Sequence, residues 1–196
     1  MHYTVYQKSR NLSWEILINE GIHTLPVKMG ELCRSLGIRV ITHSGEIESY
    51  GDGKAGIVDG KPIIFVNTET SSERQRFTIA HEVGHILLGH VGEYKLVNRE
   101  LSSEDNPIEQ AANVFASRLL APACVLWGLD IHTAEDIAPL CKISKTAAQF
   151  RAQRMAELYE REKRFLEEKG RSCFLISPLE QQVFRQFKQF IAERQN

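Results

Sequence analysis

Residues 76–90 read RFTIAHEVGHILLGH and place three of the chain's seven histidines around one glutamate. On a helix that advances about 100° per residue, His81 and His85 fall about 40° apart on one face, so two imidazoles can reach one ion. Glu82 lies about 60° beyond His85, beside such an ion rather than on it, where a carboxylate takes a proton from a metal-activated water. The opposite face, Ile79, Ala80, Val83, Ile86 and Leu87, is apolar, so the helix is buried and its polar stripe must be satisfied by something. A shuffled chain of this composition contains HExxH about once in forty times, so the competing reading, a core helix with paired histidines, is outweighed only by the motif's helical context.

The choice of further ligands is narrow. A structural zinc site is closed by four protein ligands, usually with several cysteines, whereas a catalytic site has three and a water. None of Cys33, Cys124, Cys141 and Cys173 lies near this helix in the sequence, and no two of them have CxxC spacing. His90 is one residue out of register for an extended HExxHxxGxxH pattern, where Leu88 and Val91 stand at the glycine and histidine positions. It reads as a helix-end residue or an outer neighbour of the site, and its removal is expected to leave metal occupancy near normal. Glu109, on the next capped segment, is the best third ligand, with a first-turn acid favoured by the helix dipole as the alternative. Asn113 is a candidate outer partner. Ala112, Ala116 and Gly84 are small enough to let the two helices approach.

The elements that must position these residues are legible. "LSWEILINE" and "PVKMGELCRSLG" read as short helices, the second opening at Pro26 and ending at Gly37, followed by the β-branched run "IRVIT". Two apolar runs around Asp59-Gly60 form a hairpin, and the strand "IIFVN" is expected to bind an extended substrate segment along its edge. Overlapping capping boxes, Thr70 with Glu73 and Ser72 with Gln75, start the histidine helix, which runs to about Gly89. Asn106, Pro107 and the stop at Ala121-Pro122 delimit the Glu109 helix. Downstream, two helices flank a turn at residues 142–144, the second running to Gly170, and "SPLEQQVFRQFKQFIAE" is a capped amphipathic helix with Val183, Phe187 and Ile191 in line.

With 196 residues, 42% hydrophobic and 25% charged, the composition is that of a globular protein that folds without disulfides. No apolar-cored leader and no stretch of about 18 apolar residues is read, so the expectation is a cytoplasmic protein with no membrane partner. The net charge of −1 hides an asymmetry: residues 1–141 carry 12 Lys/Arg and 18 Asp/Glu, and residues 142–196 carry 12 and 7. Interleaved signs in "RAQRMAELYEREKRFLEEK" mark a solvated helix more than an anion-binding tail, and "MAELYEREKRFLEEK" could pair with a second copy in a homodimer.

Taken together, "LPVKMGELCRSLGIRV", "RQRFTIAHEVGHILLGH" and "EQAANVFASRLLAP" resemble, in order and spacing, the ImmA/IrrE family of bacterial and phage zinc metallopeptidases, over roughly residues 11–155. The resemblance implies an α+β fold: a zincin-like domain over 1–128 with a small antiparallel sheet, then a mostly helical region over 129–196, with a helix-turn-helix-like element at 133–155 and a terminal helix at 178–194. It implies one Zn2+ per chain on His81, His85 and Glu109, with Glu82 as general base. It also implies a protein substrate, namely a helix-turn-helix repressor of a mobile element or stress response. The helix-turn-helix-like element departs from the family pattern, with Lys142 where the turn usually carries Gly and Pro139 inside the preceding helix. Direct nucleic-acid binding is therefore not expected, and the element is read as structural or partner-binding. Two other classes stay open: a DNA- or protein-binding regulator with a vestigial metal site, and a metal-stabilised interaction module without turnover. Tyr94, His90 and Arg118 are oxyanion candidates, and Cys124 a possible neighbour of the site.

Overall fold

The computed structural model describes residues 3–44, 51–92, 106–172 and 174–195. In chain order the elements are α1 (Tyr3–Asn19), α2 (Met29–Ser35), β1 (Arg39–His43), β2 (Gly53–Val58), β3 (Lys61–Asn67), α3 (Ser72–Leu87), α4 (Pro107–Leu120), α5 (Ala123–Gly128), α6 (Ala134–Cys141), α7 (Lys145–Lys169), α8 (Pro178–Gln186) and α9 (Lys188–Gln195). They fall into two compact units, residues 1–13 with 28–116, and residues 14–27 with 117–196.

The first unit holds the sheet, in the order β1-β3-β2. Asp59 and Gly60 both adopt left-handed φ, 51° and 71°, the geometry of a two-residue hairpin turn. They join β2 to β3 in antiparallel register, Val58 opposite Lys61 and Gly53 opposite Val66. The sheet is antiparallel only in this half. β1 lies parallel to β3, Arg39 opposite Ile63 and His43 opposite Asn67, because the chain passes from β1 to the far edge as β2 before returning as β3 between them. The strand "IIFVN" is therefore central, with both edges paired, and cannot take a substrate strand as its sequence position suggested. Pro62 fits because β1 pairing begins one residue later, at Ile63, leaving no partner for the missing N–H.

α3 starts at Ser71, between the two expected caps; its hydroxyl accepts from the Arg74 N–H, and the Gln75 side chain ties back to the Thr70 carbonyl at 2.7 Å. The helix packs against β2 and β3. Gly53 faces it so closely that a Cβ there would meet Thr78 Cγ2 at 2.3 Å. At the other end Leu88 is the cap and Gly89 turns left-handed at φ 76°, so the His90 N–H bonds the His85 carbonyl at 2.9 Å. α4 begins at Pro107 as expected, with Asn106 Oδ1 accepting from the Ile108 N–H. Pro26 does not open α2; it follows a cis bond three residues before the helix starts at Met29.

The second unit is helical. Leu126, Ile137, Met155, Val183 and Phe187 are fully buried in it. Ser144 caps α7 through the Ala147 N–H, and Gly170 ends it in left-handed conformation. The terminal segment is two helices with a break at Phe187, yet Val183, Phe187 and Ile191 face inward together as expected. Residues Pro107–Gly128 do reach the length and mean hydropathy, 1.2, of a membrane-crossing segment, contrary to the sequence expectation, but 67% of that window is buried within the chain. It is also broken into two helices at Ala121-Pro122.

Candidate metal centre

His81, Glu82, His85 and Glu109 are all buried, between 3% and 7% exposed. The Nε2 atoms of His81 and His85 lie 2.9 Å apart. The Glu109 carboxylate completes a triangle, with Oε2 at 3.1 Å from His81 Nε2 and Oε1 at 3.4 Å from His85 Nε2. Glu82 is not among the donors that converge there. A tetrahedral ion with bonds of about 2.0–2.1 Å separates its ligands by about 3.3 Å, so the triangle has the size of a coordination shell.

The protonation pattern asks for a cation. His81 Nδ1 lies 2.9 Å from Asn113 Oδ1, an oxygen that only accepts, so Nδ1 carries the proton and Nε2 presents a lone pair. His85 Nδ1 lies 3.2 Å from His90 Nδ1. Burial first, then the neighbouring His85, pulls the His90 pKa down to about 4, so His90 is neutral and can accept from His85. That leaves the second Nε2 bare as well. Two lone pairs and a carboxylate in van der Waals contact repel one another unless a positive charge sits among them. The His81 ring first, and the His85 ring second, hold the Glu109 carboxyl beside them well below the usual carboxylate range, so it stays ionised.

α3 and α4 approach through Gly84. A Cβ there would meet Phe115 Cδ1 at 2.9 Å and Phe115 Cβ at 3.3 Å, so Gly84 accommodates an aromatic ring rather than the small residues Ala112 and Ala116 expected from the sequence. Phe115, Ala112 and Ala116 are fully buried, and Glu109 projects from the same helix toward the histidines. His90 reaches His85 not by helical periodicity but through the left-handed Gly89, which folds the chain back over the helix end. The Leu-Gly-His ending is the signal for this.

Glu82 sits at a strand. Its Oε2 accepts from the Ala55 N–H of β2 at 2.8 Å, a partner the sequence reading missed because only the strand pairing reveals it. Among the remaining candidates, Arg118 and Cys124 belong to the second unit, where Cys124 is buried as a free thiol whose pKa burial pushes up. Tyr94 lies outside the described residues.

Comparison with known proteins agrees with this arrangement. Residues 33–153 match the Peptidase_M78 family, described as the IrrE N-terminal-like domain. The chain is 40% identical over 100 residues to the radiation response metalloprotease IrrE of Deinococcus deserti, covering 45% of this chain and 34% of that protein. It is 39% identical over 97 residues to the protein of the same description from Deinococcus radiodurans, covering 45% and 30%. The match thus spans about a third of these curated relatives. With the family match across more than half of the chain, including every residue of the triangle, this protein belongs to the IrrE N-terminal-like family of metallopeptidases.

Proposed function

We propose that the chain is a zinc-dependent endopeptidase, with His81, His85 and Glu109 as ligands and Glu82 as general base, and that its substrate is a helix-turn-helix repressor of a mobile element or stress response. The observation that carries the peptidase reading is the triangle of three acceptor atoms with an ionisable carboxylate on the adjoining turn. Two imidazoles and one carboxylate suit zinc and leave a coordination position for water or substrate. When bound, the ion supplies Lewis acidity, polarising a carbonyl and acidifying water. Glu82 accepts the proton of the attacking water as its oxygen bonds to the scissile carbon, then returns it to the departing amine as the C–N bond breaks. Glu109, His81 and His85 stay fixed throughout, oriented by Asn113 and His90. The repressor as substrate is supported by the family resemblance, and the free buried thiols Cys33 and Cys124 are consistent with a reducing compartment.

The test mixes purified protein, zinc and a repressor encoded beside its gene, with Glu82→Gln as control. Wild type should cleave, Glu82→Gln should not, and both should retain metal; intact repressor in the wild-type reaction would sink the substrate assignment. Chelation should remove activity and leave the circular dichroism spectrum largely unchanged, whereas a metal-stabilised binding module would unfold.

One observation favours a second reading. Lys142, which replaces the usual turn glycine, takes left-handed backbone angles, φ 49° and ψ 56°, between α6 and α7, which supports a helix-turn-helix-like connection despite the substitution. A DNA- or protein-binding regulator would use it. Specific retardation of cognate promoter DNA, with normal function of Glu82→Gln, would favour that class.

A further inference from the structure

β2 lies at the edge of the sheet, yet its outer side is not in water: Gly53 and Ala55 are buried, and α3 packs on this strand. The Asp52 carbonyl accepts from the Asn67 N–H at 3.0 Å, and Val58 pairs with Lys61 beside the turn. Counting in twos, Lys54, Gly56 and Val58 direct their main-chain groups to β3, while Gly53, Ala55 and Ile57 direct theirs away from it. A buried N–H that faces away from its ladder needs an acceptor from elsewhere in the fold. For Ala55 it is Glu82, whose Oε2 accepts at 2.8 Å. Helix and strand are keyed to bring the two together. Thr78 of α3 stands directly on Gly53. From Thr78 to Glu82 the helix rises about 6 Å, and from Gly53 to Ala55 the strand advances about 6.6 Å. One turn of helix matches two residues of strand, so the glutamate next to a metal ligand arrives at an outward N–H.

We propose that the Ala55 N–H aims the general base: by holding Glu82 Oε2 it fixes the rotation of the carboxylate, so that the attacking water meets it in one orientation. This rests on the peptidase reading and adds a residue to it. The terminal torsion of a glutamate is broad, so its place on α3 alone leaves the plane of the carboxylate undetermined. A hydrogen bond to an ionised carboxylate is among the stronger kinds, and a donor fixed in a strand cannot rotate away as a hydroxyl does. His81 and His85 take their orientation from the side chains of Asn113 and His90; Glu82 takes its own from the sheet. Ala55 is thereby a positioning residue acting through its main chain, and the register of α3 on β2 becomes part of the catalytic geometry.

NMR tests the contact without reference to activity. In the zinc-loaded protein the Ala55 amide proton should move upfield in Glu82→Ala, the sign of a lost charge-assisted bond, while those of Lys54 and Gly56 move little; no shift at Ala55, or equal shifts at all three, overturns the proposal. The aiming role is tested by replacing Ala55 with its α-hydroxy analogue, lactate, which turns the amide into an ester and removes the donor without touching the side chain. The same exchange at Ile57, whose N–H also points outward, is the control, because at either position the carbonyl before it, of Lys54 or Gly56, is weakened alike. With the repressor encoded beside the gene as substrate, the ester at Ala55 should lower kcat about 10- to 100-fold, toward the penalty for a group misplaced by about 1 Å. KM and zinc affinity should stay unchanged, and the ester at Ile57 should leave kcat near wild type. An unchanged kcat at Ala55, an equal fall at both positions, or a loss that comes through KM or zinc release overturns the proposal. If the wild type hydrolyses neither that repressor nor the oxidised B chain of insulin, while the Ala55 resonance responds to Glu82→Ala, the peptidase reading falls and the aiming role with it, leaving the contact standing.

Discussion

His81 Nδ1 meets Asn113 Oδ1 at 2.9 Å across two helices, and this one contact decides which ring nitrogen faces Glu109. His90 does the same for His85 from the end of α3. Removing such partners lowers metal affinity about 10- to 100-fold. Asn113→Ala and His90→Ala should each fall in that range by competition against a chromogenic chelator. For His90 this revises the expectation of near-normal occupancy, because the turn at Gly89 brings it onto the ligand. Affinity unchanged in both would mean that the ring orientations are set elsewhere.

Gly84→Ala should destabilise the first unit by about 1–3 kcal/mol, the range for overpacking a core, since the new methyl falls 2.9 Å from Phe115 Cδ1. The same displacement moves α4 and should loosen metal binding. Thermal melts with and without zinc check both effects.

Acid should weaken the metal-free protein through His90. Its folded pKa of about 4 lies below the ordinary 6.5 because burial disfavours the charged ring, so the native state binds fewer protons than the unfolded chain between those values. The contribution is fully present above pH 6.5 and is lost as the pH falls toward 4. Urea titrations at pH 7.5 and 5 should show it, and His90→Asn should flatten that part of the dependence.

Arg151, on α7, is 2% exposed, and among the described residues none of its guanidinium nitrogens has a hydrogen-bond partner. An uncompensated buried cation costs several kcal/mol. Arg151→Met should therefore raise stability, by about 1–4 kcal/mol, measured by chemical denaturation of the whole chain. A loss of stability would reveal that the arginine is compensated after all.

What could be read in advance were the features written locally. The i, i+4 histidines, the Asp59-Gly60 turn, Ser144 and Gly170 at the ends of α7, and the Asn106-Pro107 start of α4 each carry their signal within a few residues, and each stands where expected. What failed depended on partners far apart in sequence. The place of β3 directly before α3 suggests an edge strand, yet sheet order is set by β1, more than twenty residues upstream. The role of Ala55 has no local mark at all, because an alanine amide looks like any other until its strand is placed. The six-residue α5 and the break at Phe187 escaped because apolar periodicity runs on unchanged across them.

The hydrogen that Gly53 carries in place of a side chain sets how deep α3 can lie against the sheet. A Cβ there would meet Thr78 Cγ2 at 2.3 Å, so any larger residue would lift the helix from β2 and carry His81 and His85 outward with it. The depth of the ligands is thus fixed from the far side of the helix, by a residue that touches none of them.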